Sequence, residues 1–133
     1  MIKKLFILFA ASTAIVLNAA IPLICLPDKS TPTEKTAASE LADYIQKITD
    51  SKPQIIAESA NKKHEAIYVG NTVFANQNGV KTATFSPDEW LLLSKGNDLI
   101  IAGGDPRGIL YAVYHYLEDV CGVRWFNVTE NKI

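Results

Sequence analysis

Cysteine is scarce in this sequence: Cys25 and Cys121 are the whole supply. Two cysteines cannot form the dense staple framework of small disulfide scaffolds, and neither has a His or a second Cys at metal or redox spacing. A bridge between them and a pair of buried thiols are the two readings, and their apolar neighbours favour thiols. Histidine is equally sparse, with only His64 and His115. No serine sits in a Gly-x-Ser-x-Gly elbow, so no ordered nucleophile and base is suggested. Charge of one sign never accumulates. Lys and Arg number 13 against 14 Asp and Glu, for a net charge of -1. Without a long basic run, nucleic acid is excluded as a partner class. There is also no acidic tail, low-complexity tract or internal repeat.

What is present fits one domain. The chain has 133 residues, 48% hydrophobic and 20% charged, enough apolar material for a single core. Part of that material lies in the first twenty residues. Lys3 and Lys4 give a positive start, Leu5 to Leu17 form an uncharged apolar run, and Asn18-Ala19-Ala20 offers small residues for cleavage. Residues 1–20 therefore read as an export signal, leaving a chain with no membrane segment after cleavage. Ile24 before Cys25 speaks against lipid attachment.

Residues 21–26 read as a buried strand, with Pro22 at its start. Thr31-Pro32-Thr33-Glu34 then marks a helix start: Thr31 caps, Pro32 takes the first turn, and Glu34 completes a capping box. Ala37, Ala38, Leu41, Ala42, Ile45 and Ile48 recur at steps of three and four and form one apolar face. The helix should end near residues 49–51, before Pro53. Residues 54–58 and 65–70 read as strands, with a helical turn at 73–75. Residues 89–95 and 98–102 form a hairpin joined by Gly96-Asn97. Asp105-Pro106 reads as a second cap-plus-proline start, followed by an apolar face through Ile109, Leu110, Val113, Leu117 and Cys121, widened by Tyr111, Tyr114 and Tyr116. Gly122 should terminate that helix, and residues 123–126 leave it extended. The fold expected is α/β: a mixed sheet of about five strands with two long helices on one face. Two helices cover only one side, so the other face should be partly open or covered by another domain.

Candidate chemistry is thin. Gly103-Gly104-Asp105-Pro106-Arg107-Gly108 has the look of an anion cradle, but lacks the dinucleotide spacing and the Lys-Ser/Thr ending of a phosphate loop. A tight strand-to-helix bend explains the same glycines. His64 lies in a polar loop. His115 sits mid-helix, positioned to face a domain partner. Glycoside chemistry needs two carboxylates facing one bond. Glu118 and Asp119 are adjacent on a helix and point about 100° apart, so they read as solvated or salt-bridging. Glu34 has its capping role, and Asp88-Glu89 enters the hairpin. Trp90, Trp125, Phe126 and the tyrosines read as core or interface more readily than as sugar-stacking rings. Asn127-Val128-Thr129 matches a glycosylation triplet. This reading assigns no catalytic residue, no cofactor site and no metal ligand.

Residues 32–49, then Ala66-Ile67-Tyr68-Val69-Gly70-Asn71-Thr72, then residues 103–114, Leu117-Glu118-Asp119 and Gly122-Val123-Arg124-Trp125-Phe126 together resemble a known domain. They are similar, in order and spacing, to the N-terminal domains of alpha-glucuronidases and bacterial beta-hexosaminidases. They also resemble related secreted bacterial proteins with a barrel of uncharacterised specificity. The resemblance implies a domain at 21–126 without catalytic residues of its own. It would pack beside a TIM barrel holding the acidic residues, and reach polysaccharide only through that barrel. Residues 127–133 would begin the linker to a catalytic domain that lies outside these 133 residues. The parent would be an exported O-glycosyl hydrolase, periplasmic, cell-surface or extracellular. Two alternatives stand beside this: a carbohydrate-binding or cell-surface module, requiring exposed coplanar aromatics, and a small hydrolase, requiring two carboxylates brought together by folding. The accessory reading predicts an exposed apolar patch, on the sheet or at Trp125-Phe126, and a marginal, association-prone monomer.

Overall fold

The computed structural model describes residues 22–62 and 65–122, together with the backbone of residues 124–127 and 130–132. The expected export signal, His64 and the Val128-Thr129 part of the glycosylation triplet lie outside the described residues.

Strand β1 (Leu23–Leu26) leads into helix α1 (Pro32–Thr49). The start of α1 follows from its sequence. The Thr31 side chain accepts from the Glu34 N–H at 3.1 Å, and the Glu34 carboxylate accepts from the Thr31 N–H at 2.9 Å. Both halves of the capping box are made, so two N–H groups without intrahelical partners are satisfied. At the other end Asp50 takes the left-handed conformation, φ 65°, and its N–H bonds the Gln46 carbonyl. The chain then passes through β2 (Ile55–Ala57), a 3-10 turn (Glu58–Ala60), β3 (Ala66–Val69) and the short helix α2 (Val73–Gln77). A second 3-10 turn (Thr82–Thr84) precedes the hairpin of β4 (Trp90–Lys95) and β5 (Asp98–Gly103). Gly96, at φ +61°, takes the first position of the two-residue turn, as a type II′ connection requires. Helix α3 (Gly108–Asp119) follows, then β6 (Arg124–Asn127) and β7 (Glu130–Lys132), which pair with each other antiparallel.

The five main strands lie in the order β2-β1-β3-β5-β4. The first four run parallel, and β4 adds antiparallel at the edge. This is the mixed five-stranded α/β sheet that the sequence implies. One face carries Ile24, Leu26, Ile67, Val69, Leu99, Ile101, Trp90 and Leu92, packed against Ala38, Leu41 and Ile45 of α1 and Ile109, Val113 and Leu117 of α3. Alternate residues point the other way, as strand geometry demands. The alanines of α1 let it lie close to the strands, and α1 and α3 also pack on each other.

The opposite face is not left open as expected. The chain covers much of it with its own irregular segments. Ile100 and Ala102 are buried under Ala75 and Val80, with Phe74, Phe85, Leu91 and Leu93 partly buried around them. Asn61, beyond the 3-10 turn, donates to the Tyr68 hydroxyl at 3.1 Å, and Tyr68 stacks on Phe74 at 4.3 Å between ring centres. Glu58 fastens this layer: its carboxylate accepts from the Val73 and Phe74 N–H groups at the start of α2, at 2.6 and 3.3 Å. The helical turn expected at 73–75 is present as α2, but the rest of the cover has no regular period, so pattern reading does not reveal the layer.

Candidate functional site

The closing helix α3 and the turn before it hold most of the residues singled out from sequence. The expected Asp105-Pro106 helix start is not what the chain does. Helix α3 begins at Gly108, Arg107 occupies the cap position without a side-chain bond, and the Asp105–Pro106 peptide is cis within the preceding turn. The reason lies in a segment distant in sequence. The Gly108 N–H is taken by the Pro87 and Gly104 carbonyls, each at 2.8 Å, and the Gly104 N–H by the Glu89 carbonyl at 2.8 Å. Arg107 pairs with Asp88. Residues 86–89 thus fix where the helix starts, overriding the local cap signal.

The same contacts explain the glycines. A Cβ on Gly103 would collide with the Gly108 backbone, one on Gly104 with the Ser86 carbonyl, and one on Gly108 with the Glu89 carbonyl. Three backbone segments meet at a distance only glycine permits. The Gly104 and Gly108 N–H groups both face carbonyls, so they are not free to hold an anion. The bend reading accounts for this motif, and Glu89 completes it by accepting from the Ser86 N–H at 3.0 Å.

Most carboxylates are committed to the backbone or to cations. Buried Glu34 bridges Thr31 and the Asn71 N–H, the latter at 2.8 Å. Asp98 accepts from the Ala66 N–H at 2.9 Å, and Asp43 pairs with Lys52 at 3.1 Å. Glu118 and Asp119 close helix α3. With His115 they form a group whose ligand atoms all lie within 4.8 Å of one another on the surface of α3. The three sit side by side along one helix turn and do not face each other across a bond, the arrangement glycoside cleavage uses. His115 lies flat on Trp90, ring centres 4.2 Å apart and planes at 13°, and its Nδ1 is 3.8 Å from Asp119 Oδ2. Residues 25 positions apart in sequence make this stack, so no local pattern reveals it.

Both cysteines are free thiols. Burial pushes the Cys25 thiol up to about 11, helped by the Glu58 charge, and burial likewise pushes Cys121 up to about 11. Neither is poised as a nucleophile at neutral pH. Of the helix tyrosines, Tyr116 is buried with its hydroxyl well above its ordinary value, again by desolvation. Tyr114 is half-buried beside Glu40, and Tyr111 is exposed. Among the described residues, Val73 and Tyr111 are the large hydrophobics that stand exposed, so the expected apolar patch on the sheet is not found there. The side chains of Trp125 and Phe126 lie outside the described residues. No described helix is long and apolar enough to cross a membrane.

A search of curated proteins finds no match to this sequence. A protein family does match. It is described as the glycosyl hydrolase family 67 N-terminus, and residues 12–116 align with it. That span takes in β1 through most of α3, the sheet and both long helices, and the chain belongs to this family.

Proposed function

We propose that this chain is the accessory N-terminal domain of an exported glycoside hydrolase of the alpha-glucuronidase kind. It would contribute no catalytic carboxylate and would pack against a TIM-barrel domain that performs hydrolysis. The observation that carries the reading is the family match across residues 12–116. An N-terminal domain of a glycosyl hydrolase implies a partner catalytic domain. The arrangement of the carboxylates supports the division of labour: Glu34, Glu58, Glu89 and Asp98 hold backbone N–H groups that position helices and turns. Their work is to build the domain.

The structure changes how the docking is pictured. With much of the second sheet face covered by residues 72–85, the partner domain would meet a mixed polar surface, the usual character of an interface between domains of one chain. Export would follow from residues 1–20, and the domain would span 21–126.

The test uses the purified chain and oligosaccharides bearing α-linked glucuronic acid. The proposal expects no sugar release above the buffer control and no retardation in affinity electrophoresis on the parent polysaccharide. Catalytic release would replace the accessory reading with that of a small hydrolase. Clear retardation would replace it with a carbohydrate-binding module.

A further inference from the structure

The main sheet has two edges, and they are built differently. Strand β2 is three residues long, Ile55–Ala57, with Pro53 just before it and a 3-10 turn just after. So short an edge, flanked by proline, offers little to another strand. Strand β4 has none of these guards. It runs for six residues, Trp90–Lys95, holds one unbroken register with β5, and contains no proline, glycine or bulge. Among the described residues, no strand pairs with its other side. The two-residue turn at Gly96-Asn97 makes Lys95 and Asp98 a hydrogen-bonded pair, so Leu91, Leu93 and Lys95 turn their backbone N–H and C=O groups toward β5. The Glu89 carbonyl continues the pattern by accepting from the Gly104 N–H. Trp90, Leu92 and Ser94 therefore direct theirs outward, along the open edge.

We propose that this edge is the interface for a second copy of the chain, the two β4 strands pairing antiparallel about Leu92 and joining two five-stranded sheets into one. The strand complements itself in one register. With Leu92 opposite the partner's Leu92, Trp90 and Ser94 lie opposite the partner's Ser94 and the partner's Trp90. All three outward-directed residues then exchange N–H···O bonds. Leu91 meets the partner's Leu93 on the face that Phe74 and Phe85 already make apolar. Glu89 meets the partner's Lys95 on that same face. One Glu89 oxygen accepts from the Ser86 N–H, which leaves the other for an ammonium group. Lys95 is exposed and has no ion pair among the described residues. A slip of two residues keeps the backbone pattern but sets Glu89 against the partner's Leu93, or Lys95 against the partner's Leu91. A slip of one residue puts outward-directed groups opposite inward-directed ones. Charge thus selects one register and a second copy as the occupant. The inference rests on this chain's own strand and does not depend on the accessory reading.

The experiment is sedimentation velocity of the purified chain across the micromolar range, with the matched variants Lys95→Glu and Lys35→Glu. Both carry the same charge change, and Lys35 is exposed in the first turn of α1. A monomer–dimer equilibrium is expected. Lys95→Glu should weaken it roughly tenfold or more, because an attractive cross-strand pair becomes repulsive at both ends of the interface. Lys35→Glu should leave it unchanged. Amide hydrogen exchange of the wild type, read by NMR at low and high concentration, supplies a measurement that needs no variant. Trp90, Leu92 and Ser94 should gain protection in the dimer, while Leu91 and Leu93 are protected in both states. Far-UV circular dichroism checks that the variants fold, and the exchange measurement decides the matter if they do not. A chain that stays monomeric overturns the proposal. So does a dimer in which those three amides exchange as in the monomer, or whose affinity is unmoved by Lys95→Glu or lowered equally by Lys35→Glu.

Discussion

Replacing Glu34 tests how this fold is tied together. One carboxylate oxygen accepts from the Thr31 N–H at 2.9 Å, closing the capping box of α1. The other accepts from the Asn71 N–H at 2.8 Å, joining the helix to the turn after β3. Hydrogen bonds to a charged group contribute about 1.5–3 kcal/mol each. Both donor residues border solvent, so water recovers part of that in a truncated variant. Loss of the cap costs about 1 kcal/mol, the cross-link to Asn71 about 1–2, and the favourable charge at the helix start about 0.5. Glu34→Ala should therefore lose about 2.5–3.5 kcal/mol. For a domain this size, that lowers Tm by about 10–25 °C. Glu34→Gln separates the parts. Its single amide oxygen can serve only one of the two N–H groups, while its NH2 is turned toward the other donor. It should fall about midway between the wild type and the alanine variant. Urea unfolding followed by far-UV circular dichroism measures both, provided the transitions are two-state. If Glu34→Ala stays within 0.5 kcal/mol of the wild type, an order-of-magnitude margin set by ordinary surface substitutions, the reasoning fails.

Three further outcomes follow from the packing. Leu41 is fully buried between α1 and the sheet, so Leu41→Ala should cost about 2–5 kcal/mol in the same urea assay; a loss below 1 would mean the helix is not seated as described. Gly104→Ala drives a methyl group into the Ser86 carbonyl and should shift the turn, giving loss of soluble protein or a lowered Tm, whereas a wild-type Tm would show that the two segments do not meet. Cys25 and Cys121 have thiols raised from 9.0 to about 11, so the fold favours their neutral forms. Their contribution to stability is whole below pH 9 and is lost as pH climbs through 11, because the unfolded chain releases these protons first. A Cys25→Ala/Cys121→Ala chain should show a flatter stability curve between pH 9 and 11, and parallel curves would count against buried thiols.

Local rules were legible wherever the chain obeys them locally. The Thr31–Glu34 box, the apolar stripe of α1, the Gly96-Asn97 hairpin and the parallel pairing of β1 with β2 all rest on near neighbours or fixed periods. Gly122, at φ +84°, stands where a left-handed residue ends the α3 region. The failures share one cause, control from a distance. Asp105-Pro106 carries a genuine start signal, yet the Pro87 carbonyl claims the Gly108 N–H and moves the helix two residues on. The covering layer depends on Glu58 reaching residues 73 and 74, and on Val80 finding Ile100, without any periodic mark. Glu118 and Asp119 were judged by the angle between neighbours on a helix. His115, one turn back, has its ligand atom within 4.8 Å of theirs, and its stack on Trp90, 25 residues away in sequence, carries no local mark.

The central claim, that this domain serves a catalytic glycosidase partner, is tested most directly by the genomic sequence immediately downstream of codon 133, read in all three frames. The account predicts a region encoding a TIM-barrel glycosidase domain, in frame or displaced by a frameshift or stop. Unrelated sequence behind a secure stop, with this gene in a transcription unit of its own, would contradict it.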